Sequence, residues 1–117
     1  MPKITLYTAT DTFKLQSMVG IDDICLSEKE SCRLLYHLVK SNTDFIFLTN
    51  KEYAINFLGE LIGDKIINHS DVTIYYEFND KWNLTTFTPE GYLTNWIINY
   101  YMRDTLDYYN YDNYLQN

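Results

Sequence analysis

Breakers of regular structure are scarce, with two prolines and four glycines in 117 residues. That excludes collagen-like and Pro/Gly-rich disordered chains and leaves room for continuous helices and strands. The two cysteines, Cys25 and Cys32, make no recognisable disulfide framework. Free thiols in a reducing compartment are the plain reading. Histidine is equally rare, and His37 and His69 lack the close Cys/His pairs of zinc sites, so no metal is expected. Positive charge is in deficit: nine Lys and Arg stand against sixteen Asp and Glu, a formal charge of −7. Phosphates would be repelled, so direct binding to a nucleic-acid duplex is not expected. No apolar run approaches the length of a membrane span, and Met1-Pro2-Lys3 leads into an alternating segment rather than a signal peptide. The expectation is a cytoplasmic protein without a membrane partner. There is no P-loop, no G-x-S-x-G and no H-E-x-x-H, and the carboxylates are too scattered for a glycosidase pair. No cofactor is expected.

What is present is apolar and aromatic. Hydrophobic residues make up 46% of the chain, enough to exclude a disordered protein. The length fits one domain. We place it at residues 1–107, followed by a Tyr/Asn/Asp-rich tail at 108–117. The twelve tyrosines crowd toward that end.

Periodicity organises the chain around Asp44 to Gly63, DFIFLTNKEYAINFLGELIG. Phe45 to Leu48 form a short apolar run, right for a core strand. Asn50 is placed to cap the helix that follows, its side-chain oxygen accepting an orphan N–H. Ala54, Phe57, Leu58, Leu61 and Ile62 fall on one helical face. Gly63 suits a left-handed residue that ends the helix. A strand running into a helix N-terminus aims backbone N–H groups at one point, where anions and phosphates bind.

Before it, Lys3 to Ala9 alternates as a strand with Ile4 and Leu6 on one face. Thr8 to Thr12 reads as a hydroxyl-rich loop, and Phe13, Leu15 and Met18 add apolar contacts before Gly20. Ile21 to Leu26 reads as a second short strand. Ser27 with Glu30 is a capping box, opening a helix with Ser31, Leu34, Leu35, Leu38 and Val39 near one face. After it, Asp64 to Asp71 is a connector with an extended piece at Ile66-Ile67. Val72 to Phe78 puts Val72, Ile74, Tyr76 and Phe78 on one face of a strand. Asn79-Asp80-Lys81 is turn material, Trp82 to Thr88 returns as the hairpin partner, and Pro89-Glu90-Gly91 breaks the sheet. Thr94 is placed to cap a last helix carrying Ile98, Tyr101, Met102, Thr105, Leu106 and Tyr109. The order β-β-α-β-α-β-β-α defines a single mixed-sheet domain with about three helices, α/β or α+β.

His37 reads as a surface histidine and His69 as a turn residue. Trp96 and Tyr100 lie off the main stripe of the last helix, where they either pack on a neighbouring strand or form an interface, in which aromatics are enriched. The tail reads either as a frayed terminus or as an arm added to a partner.

Three anchors resemble the small viral and phage ring nucleases that act as anti-CRISPR proteins against type III systems by cutting cyclic tetra-adenylate. The first is the Lys-aliphatic strand and hydroxyl-rich loop, KITLYTATDTF. The second is the central strand and helix from Ile46 to Gly63, with Ile55-Asn56 and Leu61-Ile62-Gly63. The third is Pro89-Glu90-Gly91-Tyr92-Leu93-Thr94, similar to the second half of an element that precedes the family's last helix. The resemblance covers about residues 3–100 and is one of pattern and order more than identity.

Its departures shape what it implies. The family opens its helix with Gly-His, and that histidine is its general acid; here Asn50-Lys51 stand there. Lysine keeps its proton near neutral pH and is a poor proton donor. Two family arginines fall on Phe87 and near Asp71, and Glu90 alone remains of that group. The resemblance therefore implies a ligand site at Thr8, Thr10, Asp11, Asn50, Lys51 and Glu90, with Lys51 and Glu90 the only catalytic candidates. It implies a two-fold homodimer, for which Trp96 and Tyr100 are candidate interface residues. The expected function is anti-defence by binding, either sequestering a cyclic nucleotide messenger or blocking a host defence protein. A divergent ring nuclease that still cleaves cyclic oligoadenylate and an unrelated acidic inhibitor or immunity protein are the alternatives.

Overall fold

The computed structural model describes residues 2–94. The expected last helix, Trp96, Tyr100 and the tail at 108–117 lie outside the described residues. Elements follow in the order β1 (Ile4–Thr8), α1 (Phe13–Gln16), β2 (Ile21–Asp22), α2 (Glu28–Lys40), β3 (Phe45–Thr49), α3 (Glu52–Gly63), a 3-10 turn at His69–Asp71, β4 (Val72–Phe78) and β5 (Lys81–Thr85). The strands form one mixed sheet in the order β2-β3-β1-β4-β5. All its pairings are parallel except β4–β5. This is the expected α/β class, with one short helix, α1, added between the first two strands.

The sheet owes its two layers to alternation. Ile4, Leu6, Phe45, Phe47, Val72 and Ile74 pack on one face with Leu35 and Val39 of α2 and with Ala54, Ile55, Leu58, Leu61 and Ile62 of α3. Leu6 sits level with Phe47 on one side and Ile74 on the other, so three strands present the same face at the same height. The opposite face carries a smaller cluster: Ala9, Leu15 and Leu48, with Tyr7, Met18 and Ile24 against them. There Tyr7 stacks on Tyr75 at 5.0 Å and meets the Trp82 ring edge-on at 5.4 Å. The β4–β5 hairpin turns at Asn79 and Asp80, both with positive φ (54° and 60°), the pair of left-handed residues that a type I′ turn needs.

Several local expectations change. The strand from Ile21 shrinks to two residues because the Asp22 side chain accepts the Ile24 N–H at 3.2 Å and Asp23 O takes the Leu26 N–H. Those bonds curl the chain into a turn. Helix α3 starts at Glu52, with Lys51 rather than Asn50 as its N-cap. Thr49 Oγ1 accepts the Lys51 N–H at 3.1 Å, and φ −126° and ψ 139° hold Lys51 in an extended conformation. Gly63 stays inside the helix, Asp64 caps it, and the left-handed residue is Lys65 at φ 63°. Ile66 and Ile67 lie in a turn, where Ile67 is buried. Strand β5 stops at Thr85; residues 86–94 form a hook in which Phe87 bridges Leu93 and the Thr94 N–H reaches Thr86 O at 2.8 Å.

Candidate functional site

β1 and β3 lie side by side and end level, with Thr8 opposite Thr49. Beyond that rung the two segments part. The chain after β1 goes to the face that carries α1, while the chain after β3 enters α3 on the other face. Parallel strands whose connections leave to opposite faces open a crevice at their carboxyl ends, the usual ligand position in α/β sheets. The residues there come from three segments: Thr8, which ends β1, with Thr10 and Asp11 beyond it; Asp23 after β2; and Thr49, which ends β3, with Asn50 and Lys51 beyond it.

Asp23 anchors this edge. It is fully buried, and burying a carboxylate is costly unless hydrogen bonds offset the loss of water. Its N–H joins Leu48 O at 3.2 Å, which carries the chain alongside β3. Its Oδ2 accepts from Ser31 Oγ of α2 and from Thr49 Oγ1 at 2.9 Å. Lys51 reaches back over the turn, its Nζ donating to Asp23 O at 3.2 Å and to Ile24 O at 3.0 Å. Two of the three ammonium donors are thereby occupied. Asp23, Ser31 and Thr49 were not among the residues expected from sequence. They are 8 and 26 positions apart along the chain, so no local motif links them. The signal that was there is Ser31, a polar residue on the apolar stripe of α2.

Two features of this edge are unfilled. Helix α2 starts with a complete capping box, Ser27 and Glu30 each bonded to the other's backbone N–H. Helix α3 has no side-chain cap, so the N–H groups of its first turn and the positive end of its dipole are open to an acceptor. Asp23 Oδ1 and Asn50 Oδ1 are buried without a hydrogen-bond partner. Buried polar atoms are nearly always satisfied, so these two acceptors call for a donor at this edge.

Nucleophiles and acids near the crevice are not poised for chemistry. Burial, with the carboxylates of Glu28, Glu60 and Asp23, pushes the half-buried Cys32 thiol up. Burial and Asp23 likewise raise the Tyr53 phenol. His37 is exposed on α2, roughly 14 Å along the helix from its first residue at the usual rise. His69 precedes β4 at the other edge of the sheet, where its Nδ1 lies 3.2 Å from Phe87 O. Among the described residues, no three His, Cys, Asp or Glu side chains group as a metal site would need.

The structure brings Thr8, Thr10, Asp11, Asn50 and Lys51 to one edge. Asp11 serves its own turn, with Oδ1 accepting the Phe13 N–H at 3.0 Å. Glu90 is elsewhere: a Cβ on Gly63 would meet Glu90 O at 3.1 Å, which puts Glu90 at the far end of α3. Twelve residues of helix separate it from Lys51, roughly 18 Å at the usual rise. The two catalytic candidates are therefore not neighbours within one chain.

Comparison with protein-family models, curated proteins and solved structures finds no match for the chain. Among the described residues, no helix is long and apolar enough to cross a membrane.

Proposed function

We propose that the protein acts by binding rather than by catalysis, and that its ligand is a nucleotide messenger held at the carboxyl edge of β1 and β3. The observation that carries this reading is the uncapped N-terminus of α3 beside two buried acceptors without partners. A nucleotide matches that chemistry: phosphate oxygens for the open N–H groups, and an amino or hydroxyl donor for Asn50, which unlike Asp23 is only half-buried. The resemblance to viral ring nucleases supplies the narrower class, a cyclic oligoadenylate, and the role, withholding the messenger from a host defence system in the cytoplasm. It also supplies a two-fold dimer. Turnover is not part of the proposal. Cleavage by an internal ribose hydroxyl needs a proton for the leaving oxygen, help usually worth ~10²–10⁴ in rate. Lys51, tied to two carbonyls, is a poor source of that proton.

Calorimetric titration with cyclic di-, tri-, tetra- and hexa-nucleotides tests the site through Asn50→Ala. Asn50 Oδ1 has no partner within the protein, so its removal should leave the melting temperature near that of wild type. It takes a donor from the ligand, so affinity should fall roughly tenfold or more. No binding of any ring by the wild type, or equal affinity in the variant, would overturn the site. Sedimentation tests the dimer; a monomer would remove it from the proposal.

A further inference from the structure

The far end of α3 carries a second surface, built differently and independent of the messenger reading. The hook at residues 86–94 lays its backbone directly on the helix. A Cβ on Gly59 would meet Gly91 O at 2.5 Å, and Gly91 sits at φ 95°. This approach leaves a groove of about 680 Å³ floored by Ile55, Phe87 and Leu93, within the usual range of ligand-sized clefts, ~300–1,000 Å³. Its rim is acidic: Glu60, Asp64 and Glu90 are all exposed. None of the three takes part in either ion pair among the described residues, Lys3–Asp71 and Lys14–Asp80. Tyr92 stands at the same rim, 72% exposed.

We propose that this groove docks a basic segment of a partner protein, one with arginine beside an apolar residue. An apolar floor ringed by unpaired carboxylates and an exposed phenol matches arginine part by part. The aliphatic stem covers the floor, the guanidinium takes carboxylates in a planar fork, and its face stacks on the Tyr92 ring. Charge argues against the other occupants. A second copy would bring a net −7 surface onto the same carboxylates. Residues 95–117 of this chain carry one arginine, Arg103, against Asp104, Asp107 and Asp112.

The test uses the full chain and a fluorescein-labelled peptide of alternating arginine and leucine, with a citrulline version as the neutral control. Anisotropy gives the affinity of wild type, of a groove variant (Glu60→Gln, Asp64→Asn and Glu90→Gln together), and of a control variant. The control removes three carboxylates elsewhere: Asp22→Asn, Glu28→Gln and Glu52→Gln. The expected result is binding of the arginine peptide that weakens roughly tenfold or more in the groove variant and little in the control, with Tyr92→Ser also weakening it. Equal loss in both variants would mean attraction to net charge alone and would overturn the proposal. So would equal affinity for the citrulline peptide. Self-association of the wild type that is lost in Tyr92→Ser would assign the groove to a second copy instead.

Discussion

At its first turn α3 meets hydroxyls, a buried carboxylate and a lysine; at its last, it meets the backbone of a glycine turn. The N-terminal end is positioned by directional bonds. Thr49 Oγ1 links Asp23 to the Lys51 N–H, and two acceptors remain unfilled. The C-terminal end is positioned by close approach, Gly59 against Gly91, with no side chain between. An end fixed by hydrogen bonds fails when a polar atom is removed. An end fixed by contact fails when an atom is added. Both share the core beneath them, so a good test separates the ends from the core and then from each other.

The largest effect should come from the shared core. Leu58 is fully buried among residues of both helices and the sheet, so Leu58→Ala should cost about 2–5 kcal/mol in denaturant unfolding. A loss below about 1 kcal/mol would mean this face of α3 is not packed. Gly91→Ala comes next. Its left-handed backbone alone should cost about 1–3 kcal/mol, and the new methyl runs into Gly59 O. If the ends are independent, the groove should be lost while the nucleotide binding proposed for the other end of α3 survives.

One substitution made at two buried threonines sharpens the contrast. Thr49→Val removes the acceptor of the Lys51 N–H and a donor to Asp23, and should cost about 1–3 kcal/mol. Thr85 is equally buried, but its Oγ1 has no partner, so Thr85→Val should be neutral or stabilising. Equal losses at both sites would show that shape, not hydrogen bonding, governs the first.

The smallest effect is one of pH. Hydrogen bonds from Ser27, backbone first and then side chain, with help from Arg33, hold the Glu30 carboxyl below its usual 4.5. A lowered folded pKa favours the folded state above the unfolded value and loses that help as pH falls through the folded one. Stability of the wild type should therefore decline on acidification below about pH 4.5. Glu30→Gln, which cannot titrate, should flatten the part of that slope due to Glu30, and an unchanged slope would remove the cap from the account.

Sequence periodicity carried most of the fold. The alternation of Ile4 and Leu6 and the 3.6-residue spacing of Ala54, Leu58, Leu61 and Ile62 each marked faces that are buried. Ser27 and Glu30 announced their capping box. What periodicity missed were places where a polar side chain redirects the backbone. Asp22 cut β2 short, and Thr49 moved the start of α3 one residue on. Gly63 was read for conformational freedom, but its lack of a side chain makes room for Glu90 O. The candidate site was half legible. The sequence placed the loops after β1 and β3 together, and the structure brings them to one edge, whereas Asp23, Ser31 and Thr49 meet only through the sheet order β2-β3-β1.

The central claim is binding without turnover at the N-terminal end of α3. Its most direct test incubates the cyclic nucleotide panel with excess protein, releases the ligand by heat and identifies it by chromatography. The account predicts that a bound ring is recovered intact. Linear products that disappear in Lys51→Ala would contradict it and make the protein an enzyme.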